Sequence, residues 1–169
     1  MDSAISEKLE KMIPGVIEKI KREIRREAKD AGSENKFSSA LMRFWAKSSK
    51  GLLEEYEKVM KRMELPVETI EEVHELEGYL VKKVDEEMQV LAKEQTKLLQ
   101  IWEVIEKNEY HNEEDRLALK EVEVTASKIL ELKKERLKEL KMDKKKLEKN
   151  FEDSQREFRK MITAGEKNM

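Results

Sequence analysis

A chain of 169 residues that is 44% charged, 38% hydrophobic and 5% aromatic, with 5 Gly and 2 Pro, has the make-up of long helices rather than of a thick globular core. Its 36 basic and 38 acidic residues leave a formal charge of −2, so no general attraction to nucleic acid or acidic lipid follows. Having no cysteine and only 2 histidines, it lacks the means for a disulfide scaffold, thiolate chemistry, or a zinc site built on Cys or His.

No apolar run approaches the roughly 20 residues that span a bilayer. The opening MDSAISEKLEKMI carries acids and no unbroken apolar core, so it does not read as a secretory signal. The expectation is a cytoplasmic protein without a membrane span or a cofactor.

The first helical region is predicted over about residues 4–29, with Ser3 as its N-cap and Ile5, Leu9, Met12, Val16, Ile20 and Ile24 on one face. Pro14-Gly15 interrupts that stripe without shifting its phase and predicts a bend or a junction of two short helices. Asp30 to Asn35 reads as the turn that follows. Val16 to Lys29 is basic and amphipathic, and a packing helix with a charged outer face outweighs a membrane-surface or calmodulin-type target there.

A second helix is predicted over about 37–63, with Leu41, Trp45, Leu52, Tyr56, Val59 and Met63 as its buried stripe. Leu65-Pro66 ends it, because the residue before proline is steered away from helical dihedrals. Thr69 and Glu72 then have the T-x-x-E spacing of a capping box. The helix they start is predicted over about 70–107, with Ile70, Val73, Leu80, Val84, Leu91, Leu98, Ile101 and Ile105 recurring close to every 3.5 residues and Trp102 beside them.

Asn112 is the next N-cap, followed by three acids that suit the positive end of a helix dipole. The last helix is predicted over about 113–163, with Val122, Ala126, Ile129, Leu137, Leu140, Leu147, Phe151, Phe158 and Met161 as its stripe. Steps of 3-4-4-3 around Lys133 mark a stutter. A short turn between two long helices makes an antiparallel hairpin. The expected organisation is an elongated all-α bundle: an N-terminal helical segment over 1–64, a long coiled-coil-like hairpin over 68–165, and a disordered tail over 166–169.

Chemistry-bearing patterns are scarce. Glu71-x-x-His74 has the spacing of a di-iron bundle ligand pair, but no second pair exists, since His111 falls in the turn; a solvated histidine on a helix face is the better account. No phosphate-binding glycine loop occurs, and no serine has a base and an orienting group near it in sequence, so no enzyme activity is expected. Lys133, Lys134, Arg136, Lys144, Lys145 and Lys146 lie in a basic stretch over 133–149 that offers contacts to RNA or another anionic surface. No aromatics for base stacking lie between these lysines, which speaks against nucleic acid; a coiled-coil face pairing with the acidic preceding helix is the simpler reading. Trp45 and Trp102 read as core anchors before they read as exposed partner contacts.

With the helices placed, Tyr56 to Asp115 resembles the helical segment of dynein heavy chains that leads into the linker. The matching residues are Pro66, Thr69, Ile70, Glu71, Glu72, Leu76, Tyr79, Leu80, Trp102, Ile105, Tyr110 and Asp115. The stretch from Ile129 to Gly165 is similar to the following linker helix, so the match covers about Tyr56 to Gly165. After the tyrosine turn the dynein pattern runs through aromatics to Trp-Pro, where this chain reads RLALKEVEVTASK. The resemblance implies a mechanical part of a microtubule motor without its ATPase ring, in the cytoskeleton or a cilium axoneme. Its partners would be other helices of a larger assembly, dynein subunits or microtubule-associated proteins among them. The residues alone equally allow a coiled-coil scaffold or adaptor, including one that self-associates.

Overall fold

The computed structural model describes residues 3–27, 36–108 and 112–167, and every element among them is helical. In chain order they are α1 (Ser3–Met12), α2 (Val16–Glu27), α3 (Lys36–Met63), α4 (Ile70–Gly78), a π-helical turn (Tyr79–Lys83), α5 (Val84–Lys107) and α6 (Glu113–Lys167). The Asp30–Asn35 turn, Tyr110 and His111 lie outside the described residues.

The junction predicted at Pro14-Gly15 separates α1 from α2. Gly15 sits at φ 87°, where a side chain would clash with its own backbone. The Glu10 carboxylate reaches over the gap and accepts the N–H groups of Gly15 at 2.8 Å and Ile17 at 3.3 Å, two donors that α2 cannot satisfy internally. Ile13 is buried and Met12, expected in the stripe, is half-buried, while Val16 and Ile20 beyond the break are buried as expected.

The cap predicted at Thr69 is present, since its hydroxyl accepts the Glu72 N–H at 3.1 Å. The reciprocal arm lands one residue early, because the Glu72 carboxylate accepts the N–H of Glu68, not of Thr69, at 3.3 Å. The helix that starts there is not the uninterrupted α-helix that was expected. Its middle opens into a π turn in which the Val84 N–H donates to the carbonyl of Tyr79. Such a turn holds one extra residue, and here Tyr79, Leu80 and Val84 are all buried around it. At Asn112 the side-chain oxygen accepts the Asp115 N–H at 2.8 Å, as its position predicts. α6 then runs to Lys167, so Glu166 and Lys167, expected in a disordered tail, belong to the helix, while Asn168 and Met169 lie outside the described residues.

Packing does not follow the division at Leu65-Pro66. The described residues form two compact units, one from Met1–Lys58 and Glu87–Lys128, the other from Val59–Glu86 and Ile129–Met169. A proline break ends a helix locally, whereas a compact unit is assembled by contacts between residues far apart in the chain, and these cut across α3, α5 and α6.

Candidate functional site

In the first unit, periodicity predicts a core at Trp45, Tyr56, Leu98, Trp102 and Ile105, and all five are buried. The Trp45 and Trp102 rings lie 4.8 Å apart and tilted by 42°, within the range of favourable aromatic pairs. Trp45 Nε1–H donates to the Leu98 carbonyl at 2.9 Å, and the Tyr56 hydroxyl bonds Gln95 Oε1 at 2.6 Å. These contacts pair residues rising along α3 with residues falling along α5, so the two helices run antiparallel in this unit. Burial pushes the Tyr56 hydroxyl above its ordinary pKa. Glu23, buried on α2, is held by the Lys47 ammonium at 2.9 Å.

A cleft of about 340 Å³ opens in the same unit against Ile13, Phe44, Gly51, Leu52, Leu98 and Ile101, with half-buried Leu91 also in its wall. Its ionisable walls are Lys19, Glu55, Glu94 and Lys97, and Lys97 is paired with Glu94 at 3.2 Å. Ser48 also lines the cleft.

In the second unit Leu80 and Leu140 are buried and Leu137 and Leu147 half-buried. The basic residues separate into two groups. Arg136 is spent within the chain: its Nε donates to the Met63 carbonyl at 3.0 Å, its Nη2 to the Leu65 carbonyl at 2.6 Å, and its Nη1 to Glu139 at 2.8 Å. It thereby closes the C-terminal end of α3, where carbonyls lack helical partners and the dipole favours a cation. Lys133 is likewise committed to Asp85 at 2.7 Å. Lys134, Lys145 and Lys146 are exposed and Lys144 is half-buried. Nothing in the local sequence marks Arg136 for this work, because its acceptors lie more than 70 residues away. Arg62 stacks over the Tyr79 ring at 4.0 Å in the same unit, a cation–π contact of the same non-local kind.

The last third of α6 is left open along its whole length. Every residue from Glu148 to Gly165 is exposed. Phe151 is 60% exposed, Phe158 64%, Met161 73% and Ile162 46%. The helix face they occupy is the one that is buried earlier in α6 at Ile129 and Leu140, since 3.6 residues per turn brings 129, 140, 147, 151, 158 and 161 to one side. The sequence stripe identifies these positions as apolar and in phase; the structure adds that Phe151 and Phe158 stay largely exposed among the described residues.

Among the described residues no group of three or more His, Asp or Glu side chains could hold a metal ion, and His74 is exposed on α4. Among the described residues no helix is long and apolar enough to cross a membrane. Asp115, in the first turn of α6, has its carboxyl pKa raised by burial and then by the neighbouring Glu114 charge. Comparison with known proteins returns no matching family model, no matching curated protein and no matching solved structure.

Proposed function

We propose that this chain is a non-enzymatic interaction protein that works by helix–helix association, with the free apolar face of α6 as the surface that takes a partner helix. One observation carries the reading: a stripe that is covered at Ile129 and Leu140 continues uncovered through Phe151, Phe158 and Met161. A five-turn helix with every side chain in solvent gains nothing from packing, and isolated helices of that length are marginal in water. Covering the stripe supplies the missing stabilisation. In this reading α5 and α6 pair as an antiparallel hairpin, which the Lys133–Asp85 ion pair supports. The resemblance of Tyr56 to Gly165 to a dynein tail offers a cytoplasmic motor assembly as the setting.

Crosslinking with mass spectrometry tests the reading. A tagged chain captured from cells should crosslink a partner helix through Lys141 or Lys144, the lysines nearest the stripe. The double variant Phe151→Glu/Phe158→Glu should lose that partner while keeping its circular dichroism. Identical partner sets from the two chains would refute the assignment, and dynein subunits among the lost partners would select the motor setting.

A further inference from the structure

We infer that the partner of this face is a second copy of the same chain, paired antiparallel so that Phe158 packs against the partner's Leu147. The inference rests on the helix-association reading above and adds the occupant and the register. Along α6 the seam runs through Leu140, Lys144, Leu147, Phe151, Ser154, Phe158, Met161 and Gly165, spaced alternately by four and three as in a two-stranded coiled coil.

Charge decides between the orientations. In a parallel pair the flanking positions would set Asp143 beside the partner's Glu148, and Lys144 would face its own copy within the seam. Every charged pair would be of like sign, each of which destabilises. Reversing one helix with Phe158 opposite the partner's Leu147 removes all of these conflicts. Phe151 then faces the partner's Ser154, a large side chain against a small one. Lys144 lies along the partner's Met161 with its ammonium free to reach water. The flanks become Asn150 beside the partner's Glu157 and Glu148 beside the partner's Gln155.

Area and charge placement agree with a second copy. A phenylalanine side chain offers about 150–250 Å², so the exposed parts of Phe151 and Phe158, with Met161, Ile162 and Leu147, give roughly 400 Å² of apolar surface per copy. With the flanking stems the total comes near the lower edge, about 1,200 Å², of specific interfaces. That predicts a concentration-dependent dimer, not a permanent one. A lipid surface fits less well, because acidic side chains that border the apolar stripe would be pressed against anionic headgroups. Here Asp143, Glu148 and Glu157 flank the stripe and outnumber Lys141 and Lys144 at its N-terminal end.

The test uses the purified full chain. Sedimentation velocity should show a monomer–dimer equilibrium with a midpoint in the micromolar range, abolished by Phe151→Glu/Phe158→Glu without loss of helicity. The chain has no cysteine, so Lys141→Cys and Gln155→Cys each place one spin label. In the antiparallel register the two labels at 141 are offset along the axis by about 35 Å and those at 155 by about 8 Å, at 1.5 Å per residue. A long separation at 141 with a short one at 155 is the expected result. Short separations at both would mean a parallel pair and would overturn the inference. So would a monomer at every concentration, or a monomer that binds phosphatidylserine vesicles through the same two phenylalanines. A monomer that still captures a different protein through Phe151 and Phe158 would defeat self-pairing and leave the helix-association reading standing; one that captures nothing would defeat both.

Discussion

Arg136→Ala removes a guanidinium that donates to two backbone carbonyls at 3.0 and 2.6 Å from a side chain only 14% exposed. A hydrogen bond from a charged donor contributes about 1.5–3 kcal/mol, and a cation at a helix C-terminus about 0.3–1 kcal/mol. Water can reach the carbonyl of Leu65, whose residue is exposed, so part of that bonding is replaced on truncation. The net cost expected for Arg136→Ala is therefore about 2–3 kcal/mol. Arg136→Lys keeps the charge but cannot span both carbonyls, because an ammonium lacks the planar fork, and should cost about 1–2 kcal/mol. Glu139→Gln removes only the exposed carboxylate of the ion pair and should cost about 0.3 kcal/mol. Urea denaturation followed by circular dichroism measures all three, and hydrogen exchange of the Val59–Met63 amides should quicken in the same order. If Arg136→Lys matched the wild type, or Glu139→Gln cost as much as Arg136→Ala, the clamp on the end of α3 would not be what stabilises this unit.

Three further outcomes follow from other contacts. Thr69→Ala should lose about 1 kcal/mol, as N-cap truncations do, and Thr69→Ser should restore most of it in the same denaturation assay. Burial raises the Tyr56 pKa above the ordinary 10.0, so above that pH the unfolded chain loses this proton before the folded one and stability falls as pH rises; absorbance titration should find one tyrosine ionising late, and Tyr56→Phe should flatten the alkaline slope. The raised Asp115 carboxyl means that the folded chain holds its proton longer than the unfolded one, so its contribution to stability declines as pH rises through the carboxylate range and stays lost above it. Asp115→Asn should therefore gain on the wild type between acid and neutral pH, and a difference independent of pH would contradict the cause given for the shift.

What could be read from residues alone was whatever depends on near neighbours in the chain. Pro14-Gly15, Leu65-Pro66, Thr69 and Asn112 each act within one helical turn, and each break or cap stands where its residues place it. The core at Trp45, Tyr56 and Leu98 was legible for a similar reason, since a 3.6-residue stripe of large apolar side chains must be buried somewhere. The π turn was not legible, because an extra residue in a helix is absorbed only when packing on both sides demands it. Arg136 and Lys133 look like any other members of a basic run until α3 and Asp85 are brought beside them. The stripe of α6 likewise states that Phe151 and Phe158 are apolar and in phase, but periodicity carries no information about where the cover stops.

The π turn has a consequence for how this sequence tolerates change in length. Losing one residue from an ordinary helix swings everything after it by about 100° and turns an inward face outward. Between Gly78 and Val84 the helix already holds a spare, so deleting exposed Val81 would let it close into a plain α-helix with Val73 and Val84 still pointing as they do now. That spare makes these five residues a place where the helix can be shortened without rewriting its faces.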